Sequence, residues 1–398
     1  MKSKLRILII PSWYPPDGGQ FFQDHAEAMA EAGYHVDVLV NRQIGMTKLR
    51  FSERSTLRRF QISTVNGTRV IRSCYIKWPK NEMMNVRKWS DATQRLYRKY
   101  QHNFGKPDLI LAHSSIWAGY AAYKISSETG TPYIITEHRS RFTALTTEAK
   151  SLIRNNYRPF LEKAFEGACK IVTVSDALQA SILQFTSRDQ LNGEQKMMSI
   201  PNMVDTGFFI PPARRERDPF VILSIGRLEH EKGMDLLILA FSRLVNKIPG
   251  ASLRIVGQGP LEQQLREMAS KVEGAECIQF LGKLSPEQIL AELHQAKIMA
   301  VASRYEAFGV VFIEAMSTGL PVLSTRSGGP STFINEMTGK LVESDSVSAV
   351  YDGLKHMYEF YMDYDPAKIR KSTEDHFSRI AVMQKYSLMI QEICDDKS

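Results

Sequence analysis

The sequence predicts an α/β protein of two lobes, each a mostly parallel sheet sheathed in helices, and three observations carry that expectation. The chain's 398 residues exceed what one hydrophobic core usually serves. Short apolar runs alternate with stretches of helical periodicity in two series, one before residue 205 and one after it. Between the series lies PNMVDTGFFIPPARRERDP, where Pro211 and Pro212 on one side and Pro219 on the other bracket a charged run suited to a linker.

In the first series Leu5 to Ile10 reads as a strand and 11–19 as a loop. Phe22, Ala26, Met29 and Ala30 then recur at helical spacing until Gly33 ends the helix. Val36 to Val40 is the second strand, a nearly continuous apolar run of the kind buried on both faces. Leu109 to Ala112, Tyr133 to Thr136 and Ile171 to Val174 repeat the pattern. Strands of the second series are Phe220 to Ile225, Ser252 to Val256, Ile278 to Leu281, Ile298 to Val301 and Pro321 to Ser324. Both lobes are therefore expected to be Rossmann-like, with domains at 1–205 and 206–373 facing across a cleft. A terminal helical stretch at 374–398, with Phe377, Ile380, Tyr386 and Ile390 apolar, is expected to pack back on the first.

An apolar fraction of 43% and a charged fraction of 24% belong to a folded globular chain and exclude general disorder. Cys74, Cys169, Cys277 and Cys394 are scattered without a C-x-x-C pair, which argues against a disulfide framework or zinc site and for a reducing, cytoplasmic compartment. The run from Leu5 to Ile10 is too short to span a bilayer and lacks a cleavage pattern, so it reads as a buried strand, not a signal peptide.

The net charge of +8 is unevenly spread: residues 1–205 hold 29 Lys and Arg against 18 Asp and Glu. Residues 42–106 alone carry 16 basic side chains, with Glu53, Glu82 and Asp91 as the acids. Such a block attracts phosphate. Within a helical stretch from Asn85 to Gln101, Arg87, Arg95 and Arg98 share one face, and Trp89, Ala92, Leu96 and Tyr100 add apolar and aromatic surface. Docking on an anionic membrane is the expectation; a solvated basic face, or a pocket for a soluble phosphorylated acceptor, is the alternative. No nucleic-acid partner is expected.

The richest segment is VASRYEAFGVVFIEAMSTGLPVLSTRSGG, residues 301–329. Ser303 and Glu306 follow a predicted strand, Phe308, Gly309 and Val310 open a helix, and Glu314 lies inside it, eight positions after Glu306. Free N–H groups and the positive dipole end of a helix start hold a phosphate or sugar oxygen. A carboxylate one turn on accepts hydrogen bonds from ribose hydroxyls. On spacing alone the two glutamates are also ordinary surface carboxylates.

Taken with its surroundings, the segment resembles the retaining GT-B glycosyltransferases of the family called GT4, whose signature is Glu, seven residues, Glu. Glu306 and Glu314 match it, with Phe308-Gly309 between and Gly319-Leu320-Pro321-Val322 and Gly328-Gly329 after. So do Tyr14-Pro15-Pro16, Gly18-Gly19, Pro201-Asn202, Val204-Asp205, Gly226-Arg227, Lys232-Gly233, Gly257, Gly259, Phe280 and Gly282, so that the resemblance spans nearly the whole chain.

The resemblance implies transfer of a sugar from a nucleotide diphosphate sugar, most often a UDP-sugar, to a glycan or lipid-linked acceptor with retention of configuration. It implies catalytic roles for Arg227 and Lys232 as a diphosphate clamp, for Glu306, and for His113 facing the donor sugar. Gly18, Gly19, Gly226, Gly257, Phe308, Gly309, Val310 and Glu314 would bind the donor. Glu137 and His138, at the end of another strand, would touch the acceptor. Without the resemblance, Arg227 and Lys232 are an exposed basic loop, Gly18-Gly19 a turn and His113 a satisfied structural histidine.

No cofactor is expected, since LRIVGQG at 253–259 lacks the third glycine of a dinucleotide fingerprint. No obligatory metal is expected either, since the D-x-D run of Asp363, Tyr364 and Asp365 sits beside Pro366, away from any strand end. Met203 and Thr332 depart from the family's usual Gly and Glu. A sugar-nucleotide epimerase or glycan phosphorylase on the same fold, or a catalytically silent sugar-nucleotide-binding scaffold, are the rival readings.

Overall fold

The computed structural model describes residues 4–16, 18–45, 60–77, 81–139, 142, 155–183, 196–213 and 219–395. Two compact units emerge, 1–200 with 383–398 and 201–382.

The first unit is built on an eight-stranded sheet ordered β3-β4-β2-β1-β5-β6-β7-β8. Its strands are β1 (Arg6–Pro11), β2 (His35–Gly45), β3 (Gln61–Val65), β4 (Thr68–Lys77), β5 (Leu109–His113), β6 (Tyr133–Glu137), β7 (Lys170–Thr173) and β8 (Met197–Ser199). All neighbours run parallel except β3, which pairs antiparallel with β4. The central strands are fully buried because helices cover both faces: Ile7 to Ile10, Ile110 and Ile134 have no exposed surface. Strand order reverses between β1 and β5, and a doubly wound sheet offers its ligand crevice at the carboxyl ends of the strands flanking that reversal.

The second unit carries a six-stranded, all-parallel sheet ordered β11-β10-β9-β12-β13-β14. It comprises β9 (Val221–Ile225), β10 (Ser252–Val256), β11 (Ile278–Gly282), β12 (Ile298–Val301), β13 (Val322–Thr325) and β14 (Gly339–Val342). Its reversal lies between β9 and β12. Leu237, Ile238 and Phe241 of the helix Met234–Leu244 pack with Ile222, Leu253, Ile255 and Leu354 in one core. Local chemistry starts the helices where the sheet needs them. At Pro286–Gln295, for instance, Ser285 and Gln288 form a reciprocal capping box with Pro286 at the first position.

Residues 201–205 sit with the second unit because its own later helices hold them. Val204 pairs with Ser378, its N–H donates to Phe377 O at 2.8 Å, and Asp205 meets Arg379 at 3.2 Å. The helix Arg379–Asp395 begins in the second unit and, from Met383 on, belongs to the first. There the Tyr386 hydroxyl lies 3.2 Å from Thr136 Oγ1.

One expectation is overturned. In the helix Glu82–Phe104, Trp89, Leu96 and Tyr100 are core residues, not a lipid-facing surface. Trp89 Nε1 donates to Asn41 O at 2.7 Å and the Tyr100 hydroxyl to Asp37 Oδ2 at 2.9 Å, so their polar tips are spent inside the unit. Arg87, Arg95 and Arg98 are exposed, Arg98 forked onto Glu128. Residues 46–59 and 78–80 of the basic block lie outside the described residues.

Candidate active site

In the second unit the loops after β9 and β12 meet through their backbones. Gly233, with φ +60°, ends the turn His230–Lys232, and a Cβ there would stand 1.9 Å from Ala302 O. Gly257 lies against Gly226, where a Cβ would be 1.8 Å from the carbonyl oxygen. Glycine is needed at both positions because only a bare Cα admits backbone this close.

Arg304 fixes the turn. Its N–H donates to Glu231 O and its guanidinium to His230 O, each at 2.8 Å, and to both Asp235 oxygens at 3.0 and 2.7 Å. Burial pushes the Asp235 carboxyl up, but the hydrogen bonds and charge of Arg304 outweigh that and hold it below the usual range. Arg304 lies inside the segment singled out at 301–329, yet nothing in its spacing marked it.

The turn delivers Lys232 to Glu306. Nζ donates to Oε2 in a short hydrogen bond, with Glu306 nearly buried and Lys232 partly so. Glu306 is held in turn by the Gly328-Gly329 loop: its N–H donates to Ser327 O and its carbonyl accepts from Gly329 N, both at 2.8 Å. Gly309, at φ +89°, opens the helix Val310–Ser317 without any side-chain cap, and of the first-turn N–H groups that of Phe312 donates to Gly309 O at 3.0 Å. Phe308 is buried behind it, and Val310 and Glu314 are half-buried on that helix. Arg227 stands apart from the pair. Its side chain is 75% exposed and bonds Glu229 at 2.5 Å.

In the first unit the loops after β1, β5 and β6 converge at the other reversal point. Gly18 and Gly19 both have positive φ, and Gly19 starts the helix Gln20–Glu31 with Trp13 and Phe22 against its bare Cα. Behind it lie three imidazoles. The His113 ring is 5.0 Å from His25 and 4.6 Å from Phe22, and its Nδ1 is 3.0 Å from His138 Nε2. His113, expected at the donor sugar, has no exposed surface; His138 is the half-buried member.

Burial lowers the His25 pKa to about 3. It lowers His113 well below the usual value too, with the neighbouring imidazoles adding to the effect. Both rings are therefore neutral near pH 7. His25 was missed in the sequence, although it falls on the stripe of Phe22, Ala26 and Met29. Glu137 is wholly buried and occupied: Oε2 accepts from the Ser115 N–H at 2.7 Å and from its hydroxyl, and Oε1 from the N–H groups of His138 and Arg139, both at 2.9 Å.

Asp365 of the D-x-D run caps the helix Pro366–Phe377 by accepting from the N–H groups of Ala367 and Lys368. Among the described residues no helix is long and apolar enough to cross a membrane.

Compared with known proteins, residues 18–208 match the family Glycosyltransferase Family 4 and residues 207–370 match Glycosyl transferases group 1. The glycogen synthase of Mycobacterium tuberculosis is 27% identical over 352 residues, covering 84% of this chain and 81% of its own. A GDP-mannose-dependent alpha-(1-6)-phosphatidylinositol monomannoside mannosyltransferase of Mycolicibacterium smegmatis is 34% identical over 168 residues, covering 38% of this chain and 44% of its own. Among solved structures, sucrose-phosphate synthase from Thermosynechococcus elongatus superposes with a TM-score of 0.77 at 20% identity over 99% of this chain and 100% of its own. Anabaena HepE in complex with UDP and glucose does so at 0.70 and 16% identity, over 98% of this chain and 100% of its own.

Proposed function

Since the chain belongs to the GT4-type glycosyltransferases of GT-B fold, we propose that it moves a hexosyl group from a nucleotide diphosphate sugar to an acceptor hydroxyl with retention of configuration. In this reaction the bond from the anomeric carbon to the diphosphate oxygen breaks and a bond to the acceptor oxygen forms on the same face. The acceptor proton passes to the departing diphosphate.

The observation that carries the reading is the Lys232–Glu306 pair at the carboxyl ends of β9 and β12. A diphosphate arriving beside the uncapped helix at Gly309 offers Lys232 a doubly charged partner, and the ammonium stabilises the charge that grows as the sugar leaves. Arg227, exposed on its loop and paired with Glu229, adds a second cation by exchanging that partner for the diphosphate, and Glu314 accepts from the nucleoside. No metal or cofactor enters this scheme. Among the relatives, one mannosyltransferase is named as GDP-mannose-dependent, and HepE was solved in complex with UDP and glucose. A UDP-sugar is the donor we favour. The scattered cysteines favour a cytoplasmic site.

For the acceptor we favour an anionic molecule, glycan or lipid-linked. Lys88, Arg95 and Lys99 line a cavity of about 920 Å³ with Ser73 to Ile76 of β4 in the first unit, and several relatives bear phosphatidylinositol in their names. Docking of the basic face on an anionic membrane now rests on charge alone, since Trp89, Leu96 and Tyr100 are buried.

The deciding experiment is a thermal-shift screen against UDP-, GDP- and ADP-sugars. A true donor at 100 times its Kd stabilises the fold by about 2.7 kcal/mol. Release of nucleotide diphosphate only with acceptor present excludes an epimerase or phosphorylase, and stabilisation by no nucleotide sugar overturns the reading.

A further inference from the structure

Glu137 sits where a substrate-binding carboxylate was expected, yet its four hydrogen bonds all go inward. Two come from the loop after β6, which it belongs to, and two from Ser115, at the start of the π-helical turn Ser115–Gly119 that follows β5. One buried carboxylate thus ties the two loops that carry His113 and His138.

The backbone between shows why a tie is needed. Ser114 has φ +78° and ψ 136°, a conformation costing a non-glycine residue roughly 1 to 3 kcal/mol, so it persists only where its surroundings enforce it. Its N–H donates to Thr136 O at 2.8 Å and its carbonyl accepts from Gly119 N at 3.0 Å. On the next residue, the buried Ser115 N–H heads the turn and would be orphaned without Glu137. His113 immediately precedes this bend and His138 immediately follows Glu137, and their ring nitrogens stand 3.0 Å apart.

We propose that Glu137 is a positioning residue for sugar transfer: its carboxylate enforces the Ser114 bend and so sets the hydrogen bond between His113 and His138. The proposal rests on the glycosyl-transfer reading only for the consequence in turnover. A carboxylate is required because all four groups facing it donate. Whichever way a glutamine amide is turned, its NH₂ meets at least one backbone N–H.

The test is E137Q in the full chain, labelled with ¹⁵N-histidine. The imidazole resonances are assigned with His113→Gln and His138→Gln. The expected result is loss or a clear shift of the resonance of the proton shared by His113 and His138. Turnover falls at least tenfold, while the Kd for UDP stays within twofold of wild type. Should E137Q not fold, S114G/E137Q replaces it, because glycine adopts the bend without strain.

Folding of S114G/E137Q where E137Q does not fold supports the proposal, since a glycine at the bend needs no enforcing. A folded E137Q with the resonance in place overturns the proposal. If turnover is nonetheless lost, Glu137 acts on substrate directly; if turnover is kept, it has no part in the reaction. Failure of both variants to fold assigns Glu137 to stability alone and overturns it too. Absence of any sugar transfer by the wild type sinks the glycosyl-transfer reading, while the resonance comparison still decides whether Glu137 holds the pair.

Discussion

At the reversal point of the second unit a lysine and a glutamate share a hydrogen bond in a nest of glycine backbones; at that of the first, three imidazoles pack edge-on and tilted against one another. Both occupy the position a doubly wound sheet reserves for a ligand, yet one is built from opposed charges and the other from imidazoles, of which His25 and His113 are buried and neutral. The contrast teaches where each unit spends its polar groups. On the proposed reading the charged pair is an interaction a diphosphate enters, Lys232 exchanging one anionic partner for another. The histidine cluster offers shape and one hydrogen bond between His113 and His138, and its carboxylate, Glu137, is turned inward.

The sharpest break in this comparison is removal of the charge in the second unit. Lys232→Ala should cut turnover by about 10² to 10³, in line with lost electrostatic donors elsewhere, and should leave Glu306 buried without its cation. Steady-state kinetics in a chelator-containing buffer checks it; full activity there contradicts the clamp. Arg227→Ala should lose less, because its side chain is already solvated and paired with Glu229.

Next comes the nest itself. Gly233→Ala places a methyl on Ala302 O and forces φ +60° on an L-residue, and should cost about 2 to 4 kcal/mol in denaturant unfolding. An unchanged midpoint would mean that the β9 and β12 loops need no close approach.

The first unit should answer to pH through its buried histidines. The His25 pKa is lowered to about 3 by burial, so the unfolded chain binds the proton first as pH falls. The stability contributed by the neutral ring is present above its unfolded value near 6.5. Below that it is lost by roughly 1.4 kcal/mol per pH unit until the folded value is reached. His113, lowered in the same direction, adds to the slope. Melts between pH 7 and pH 5 should show this decline, and His25→Phe should flatten it; an equal slope in the variant refutes the assignment.

The smallest effect expected is on Glu314. Replacement by Gln should weaken donor binding about tenfold while Glu306→Gln mainly lowers turnover, a split that calorimetry and kinetics together resolve. If both variants behave as wild type with the true donor, the Glu-containing segment is not the donor site.

Ten of the parallel strands were legible to within a few residues because runs such as Ile7 to Ile10 are apolar on both faces, whereas β4, β8 and β14, parallel too, were not read. β3 escaped because it is an exposed edge with no apolar face. Yet Asn66-Gly67, at φ +45° and +79°, joins β3 to β4 with the two-residue hairpin signal that was there to be read. β2 runs on through polar Asn41 to Gln43 because its ladder with β4 continues to Gly45, which hydropathy cannot show. Lys232 and Glu306 were legible as a motif, but their mutual bond joins residues 74 positions apart and exists only in the folded unit. Glu137 read as substrate-facing because a carboxylate at a strand end looks the same whether its partners are ligand hydroxyls or its own backbone.

The helix Arg379–Asp395, which leaves the second unit and finishes in the first, has a consequence for the order in which the protein assembles. Tyr386 closes the floor beneath His25 and Thr136, with ring centroids 4.5 Å apart at His25. The first unit therefore leaves the ribosome with that floor open. At 5 to 20 residues per second, the intervening stretch from Pro201 to Val382 takes roughly 10 to 40 s to make, during which Tyr386 is not yet there to cover His25. Nascent chains arrested before residue 383 should bind a dye for exposed apolar surface, and chains arrested beyond residue 395, once clear of the exit tunnel, should not.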